Sequence, residues 1–201
     1  MDWAKIRLSP EELALVRDGE WVLTKNRIIQ KVYALFGDMA LDMAANIRLY
    51  SLPSEITETP PRISRGESYK GLPYVMLDYP RIFSRENIFA IRVFFWWGNY
   101  FSVTLHLKGG YKNRFEKTIR KNIGLLAAND FSICHSPEEW LHELDQENYL
   151  KIKGLGEERL NKILSEIPFL KFSAGVPFSQ WENAPGLLGR LFNALLQSIQ
   201  G

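Results

Sequence analysis

From Phe89 to Leu107 the chain reads FAIRVFFWWGNYFSVTLHL: an apolar run, then Gly98-Asn99, then a run in which apolar and polar residues alternate. Strict alternation marks a half-buried strand, and Gly-Asn between apolar runs marks a hairpin, because the first central position of a type II′ turn needs φ > 0. A two-residue turn predicts that Trp97 faces Tyr100, Trp96 faces Phe101, Phe94 faces Val103 and Arg92 faces Leu105. Phe101, Val103, Leu105 and Leu107 then share one face of the second strand, and Tyr100, Ser102, Thr104 and His106 the other. The first strand is apolar on both faces except at Arg92, as in a strand buried in mid-sheet.

Elsewhere the period is helical. Ser9-Pro10-Glu11-Glu12 is a capping box with Pro at the first helical position, which predicts a short helix over about 10–17. Val22, Ile28, Ile29, Val32, Leu35 and Phe36 predict a second over about 20–36 with Gly37 as its C′ residue; Met39, Met43, Ile47 and Tyr50 predict a third over about 38–50. Residues 51–71, punctuated by Pro53, Pro60, Pro61, Gly66 and Gly71, predict a long loop, and 72–79 a strand. After the hairpin come a helix over about 111–126, a short strand at 131–134, and a second capping box, Ser136-Pro137-Glu138-Glu139, opening an acidic helix to about 144. An extended piece at 149–152, a helix at 156–166, a strand at 169–173 and a helix at 185–199 complete the chain. Helices around an antiparallel hairpin predict an α+β fold, with the sheet centred on 89–107 and helices on its Phe94, Trp96, Phe101, Val103 and Leu105 face. One domain over 1–201 is expected: a helical part (1–50), the loop (51–71) and a sheet-containing part (72–201).

At 201 residues and 46% hydrophobic content the chain can bury a core, which excludes a disordered protein. A net charge of +2 sets up no global field, so any nucleic-acid partner must be recognised locally. No run approaches the roughly 20 apolar residues that span a bilayer, the start lacks a signal-peptide pattern, and Cys134 is the only cysteine. A cytoplasmic protein with no membrane partner is expected.

Local spacing yields no catalytic constellation. Ser102 and His106 share a strand face, but their Cα atoms stand about 13 Å apart, too far for a hydroxyl to reach an imidazole. Cys134 and His135 point to opposite faces. Glu139 and His142 form one E-x-x-H, whereas a di-iron bundle uses two, and Cys134, His135 and His142 lack standard zinc spacing, so no metal site is expected. GxxxxGK[ST] and GxGxxG are absent, so no cofactor is expected either. An enzyme would need distant residues converging around His106, with a hydrolase as the class to screen.

Two surfaces are candidate binding sites. Trp97, Tyr100, Ser102, Thr104 and His106 set apolar area beside hydrogen-bonding groups, as a small-molecule or peptide site does. Arg62, Arg65 and Lys70 in the preceding loop would form a basic lid and favour an anionic ligand. A second copy covering this hairpin face would instead make it a homodimer interface. Arg92, on the opposite, core-like face, requires a carboxylate or backbone partner, for which Asp78 is the choice. The alternative surface is the basic helix carrying Lys112, Arg114, Lys117, Arg120 and Lys121. Further on, Lys151-Ile152-Lys153-Gly154-Leu155-Gly156, continued by Ile163, resembles the hairpin of the helix-hairpin-helix motif over about a dozen residues; the resemblance implies that amides around Gly154 and Gly156 contact a nucleic-acid phosphate without reading sequence. The expected function is a ligand- or partner-binding module, with non-sequence-specific nucleic-acid binding as the alternative.

Overall fold

The structure, a computed structural model, describes residues 6–201. Among these, seven strands build one antiparallel sheet: β1 (Arg62–Tyr69), β2 (Leu72–Phe83), β3 (Ile88–Trp96), β4 (Tyr100–Lys108), β5 (Ser132–Cys134), β6 (Tyr149–Lys151) and β7 (Phe169–Pro177). Their spatial order is β1-β2-β3-β4-β7-β5-β6. The helices are α1 (Pro10–Arg17), α2 (Gly19–Asn46), α3 (Ser54–Thr57), α4 (Gly110–Lys121), α5 (Ile123–Ala128), α6 (Glu157–Glu166) and α7 (Ala184–Ser198). The fold is α+β, with the predicted hairpin near the middle of the sheet.

The hairpin closes with three loop residues instead of two. Pairing starts at Trp96 with Tyr100 and continues through Phe94 with Ser102, Arg92 with Thr104 and Ala90 with His106. Asn99 N–H donates to Trp96 O at 3.0 Å, which makes Gly98 the third residue of the turn, with φ at +74°. A type II turn requires that left-handed conformation there. Trp97 N–H donates to Pro73 O at 3.0 Å and so leaves the β3–β4 ladder. A shift of one residue moves every side chain of a strand to the other face. Arg92, Phe94 and Trp96 therefore join Tyr100, Thr104 and His106, and the expectation that they pack with Val103 beneath the helices is corrected.

The helix-covered face carries Ile91, Val93, Phe95, Phe101, Val103 and Leu105, all buried. α2 reaches it with Ile29, Val32, Phe36, Met39 and Met43, one continuous stripe that carries the helix through Gly37, where the sequence predicted an end. Phe36 meets Phe101 edge-on at 6.4 Å, and Phe178 and Trp181 close the same cluster at 5.3 and 5.2 Å from Phe101. Truncating so enclosed a ring to Ala costs about 3–5 kcal/mol.

Residues 51–71 are not the loop the sequence predicted. They form α3 and the edge strand β1, joined to β2 by Lys70-Gly71, where φ is +51° and +79°. Positive φ at both central positions is the requirement of a type I′ hairpin. β1 is polar because an edge strand faces water and resists edge-to-edge pairing that way. Gly66 is fixed by close approach: a Cβ there would sit 2.5 Å from the Tyr74 ring.

The first capping box opens α1 as predicted, whereas the second opens no helix. Ser136 Oγ accepts from Glu138 N–H at 3.2 Å, two residues on instead of three, and residues 136–148 cross the sheet as an irregular strap. The backbone carbonyls of Glu139 and Leu141, which a helix would use internally, accept hydrogen bonds from Lys171 on β7. Tertiary partners override local capping here.

Candidate functional site

The face of the sheet away from α2 and α7 carries the candidate site, and a β-bulge shapes it. β2 pairs with β3 at Asp78–Arg92 and next at Arg81–Ala90, so one extra residue is accommodated between Asp78 and Arg81. Without it Arg81 would point toward the helices; with it, Arg81 and Phe83 share a face with Asp78 and Arg92. Beside them on β1, Arg62 pairs with Asp78 and Ser64 with Met76. These residues and Trp140 of the strap line an open groove of about 330 Å³.

Three guanidinium groups converge on this groove. Arg92 is neutralised by Asp78, Nε to Oδ1 at 2.7 Å and Nη2 to Oδ2 at 3.0 Å, the carboxylate partner the sequence pointed to. Arg81 donates its Nε to Pro60 O at 3.0 Å, which fixes its orientation. Among the described residues, neither Arg81 nor Arg62 pairs with a carboxylate. The lip is aromatic: Phe83 and Trp140 are 40% and 52% exposed, with ring centroids 6.2 Å apart.

Behind the lip lies a buried polar cluster that pins the strap to the sheet. Lys108 Nζ donates to Glu139 Oε2 at 2.8 Å, Tyr100 OH donates to His142 O at 3.1 Å and accepts from Leu144 N–H at 2.8 Å, and Arg92 Nη1 donates to His142 Nε2 at 3.1 Å. The His142 ring stacks on Phe94 at 4.9 Å. Thr104 and Ser173 hydroxyls bond each other at 2.7 Å. His106 Nε2 and Glu139 Oε1 lie 3.0 Å apart, yet out of hydrogen-bonding alignment, and neither atom has another partner. Beside them is a void of about 10 Å³, lined by Thr104, His106, Trp140, His142 and Lys171. That volume is at the lower limit for holding one water.

Burial governs the titration of this cluster. It pushes the His106 imidazole down to about 3, with the cations of Lys171, Arg92 and Lys108 adding to the effect. His142 is lowered well below the ordinary histidine range by burial, then by Lys171 and Arg92. Both rings are neutral at pH 7, consistent with His142 Nε2 accepting from Arg92. Burial also lowers the Lys171 ammonium, to about 8.

Of the residues the sequence singled out for this face, Tyr100, Ser102, Thr104 and His106 lie on it together, but beneath the strap instead of facing solvent. Arg62 reaches the groove. Arg65 pairs with Val75 and so faces the helix side, and Trp97 packs there against Phe95 at 6.2 Å; both expectations are corrected by register. The cover is the strap, in place of the predicted lid at 62–70. Ser64, Arg81, Phe83 and Trp140 were missed, and only the Tyr79-Pro80 interruption of β2 hinted at the bulge that turns two of them.

The basic helix is less basic outside than predicted. Lys112 is buried and its Nζ donates to Leu164 O at 3.0 Å and to Ile167 O, tying down the end of α6. Arg120 is occupied by Glu116 at 2.7 Å, leaving Arg114, Lys117 and Lys121 exposed. Gly154 has φ at +85° and Gly156 precedes α6, whose first turn presents Glu157 and Glu158 toward any approaching phosphate. A wider groove of about 640 Å³ between α2 and α7 sets Asp38 and Asp42 in a lining that also holds Arg190, and contains none of the predicted residues. Among the described residues no group of three His, Cys, Asp or Glu could hold a metal ion, and no helix is long and apolar enough to cross a membrane.

No family model, no curated protein and no solved structure matches this chain.

Proposed function

We propose that the chain is a binding module for a small anion carrying a flat apolar group, taken up in the groove between Arg62, Arg81 and the Phe83–Trp140 lip. The observation that carries this reading is the convergence of three guanidinium groups, one of them paired with a carboxylate, on two half-exposed aromatic rings. Guanidinium forks match carboxylate and phosphate oxygens and stack on rings, while exposed rings supply apolar area for a planar group. The Arg92–Asp78 pair stiffens the groove floor, and Ser64 offers a hydroxyl for orientation. A volume of about 330 Å³ suits a ligand at the small end of the usual range.

The hydrolase reading draws less support. His106 is within 3.0 Å of a carboxylate, but the space beside the pair admits no substrate while the strap is closed.

Thermal-shift measurements with phenyl phosphate, benzoate, inorganic phosphate and uncharged benzyl alcohol test the proposal. The aromatic anions should raise Tm, inorganic phosphate less, and benzyl alcohol not at all, since a ligand that binds only the folded state stabilises by mass action. Arg62→Gln with Arg81→Gln should abolish the shift. Shifts that survive in this variant, or no shift at millimolar ligand, would exclude the groove as the site.

A further inference from the structure

Residues 6–24 are exposed without exception, and among the described residues they hold eight of the twelve exposed large apolar side chains. α1 buries no residue at all, and α2 contributes to the core only from Ile29 onward. The two helices meet at Asp18, whose carboxylate caps α2 through Trp21 N–H at 3.1 Å. Leu13, Leu15, Val16, Trp21, Val22 and Leu23 are between 39% and 71% exposed, and so are Ile6 and Leu8 just before α1. In α1 the apolar residues Leu13, Ala14, Leu15 and Val16 follow one another, so its second turn presents apolar side chains that nothing in the described chain buries. Eight residues of helix with no tertiary packing are also marginal in water, because nucleation costs more than so few hydrogen bonds return.

We propose that this arm is the interface of a homodimer in which two α1–α2 corners pack antiparallel about a two-fold axis. Charge pattern selects a second copy as the occupant. Residues 6–24 hold four acidic and two basic side chains, so the arm carries no net positive charge to draw it to an anionic lipid surface. Along α1 the signs are segregated: Glu11 and Glu12 at the start, Arg17 at the end, and Arg17 pairs with no carboxylate among the described residues. Antiparallel pairing sets Arg17 against Glu11 and Glu12 of the partner subunit, twice, as an isologous contact must. The eight large side chains supply apolar area toward the roughly 800 Å² per partner of a standard interface.

Light scattering coupled to size exclusion, run on the full chain from 1 to 100 µM, should return twice the 23.3 kDa chain mass at the upper end. Val16→Glu with Leu23→Glu should give a monomer with unchanged far-UV spectrum in the sheet-dominated region, since neither side chain touches the core. Arg17→Glu alone and Glu11→Arg alone should each weaken the dimer about tenfold or more, by placing like charges opposite each other. Mixing these two single variants should restore it, because their charges are then complementary. A wild-type monomer at 100 µM overturns the proposal. So does a dimer that survives V16E/L23E, which would place the interface elsewhere, or a monomer whose arm binds phosphatidylcholine–phosphatidylserine vesicles, which would make a membrane surface the occupant.

Discussion

Arg92 on β3 and Asp78 on β2 stand directly opposite each other, and the guanidinium grips both carboxylate oxygens, at 2.7 and 3.0 Å, under cover of Phe83 and the strap. The pair is the floor of the groove and the anchor of His142, so it couples sheet register to the candidate site.

Breaking this pair from one side leaves the other charge without compensation. Asp78 is only 6% exposed, so Arg92→Met should cost about 3–5 kcal/mol in urea denaturation at pH 7. Arg92→Met with Asp78→Leu should recover a substantial part of that loss. A single-variant cost below about 1 kcal/mol would mean that water reaches the carboxylate.

His106 makes stability depend on pH with a definite sign. At pH 7 the ring is neutral both folded and unfolded. Below its ordinary value of 6.5 the unfolded chain takes up a proton that the folded chain refuses until about pH 3, so stability declines as pH falls through that window. Linkage puts the loss from His106 alone at about 2 kcal/mol between pH 7 and pH 5. His142, shifted in the same direction, steepens the decline. His106→Asn should reduce the loss of unfolding free energy, measured in urea, between these two pH values by that amount; parallel slopes for variant and wild type would contradict the neutral, buried assignment.

Lys171 holds the strap by its backbone, donating to Glu139 O at 3.0 Å and to Leu141 O. Lys171→Met removes both charge-assisted bonds at similar volume. Amide exchange in 139–144 should accelerate at least about tenfold while α2 and α7 exchange as before, a local opening worth about 1.4 kcal/mol or more. Acceleration spread evenly over the whole chain would show that the strap and core open together.

Trp140 serves binding more than stability. Half of its surface is already in water, so Trp140→Ala gives up roughly 100 Å² of burial and should lower the unfolding free energy measured in urea by about 2–3 kcal/mol, short of unfolding the chain. The same substitution should remove most of the thermal shift produced by phenyl phosphate while leaving any shift from inorganic phosphate in place.

The alternation of β4 and the stripes of α2 and α4 were legible because side-chain period follows element geometry regardless of tertiary context. Register was not: one loop residue, Trp97, whose N–H pairs with β2 instead of with β4, decides on which side Arg92 lies. The need of Arg92 for a carboxylate or backbone partner was legible from charge alone, and Asp78 answered it. β1 was hidden because an edge strand is polar, and the strap because Lys171, 32 residues beyond Glu139, takes carbonyls that a helix would use. Arg81 and Phe83 reach the groove through a bulge that no alternation pattern encodes. Of the groove's residues, Arg62 alone was singled out as ligand-binding in advance, from its place in a basic segment.

The groove itself is best interrogated at the ring that closes it. Incorporation of 5-fluorotryptophan gives a fluorine resonance for each of the six tryptophans, and Trp140→Phe assigns the one at the lip. On titration with phenyl phosphate the Trp140 resonance should move saturably, with the buried Trp96 resonance still, and the response should vanish in the variant carrying Arg62→Gln and Arg81→Gln. A Trp140 resonance that stays fixed at millimolar ligand, or moves equally in that variant, would contradict an anion site at this groove.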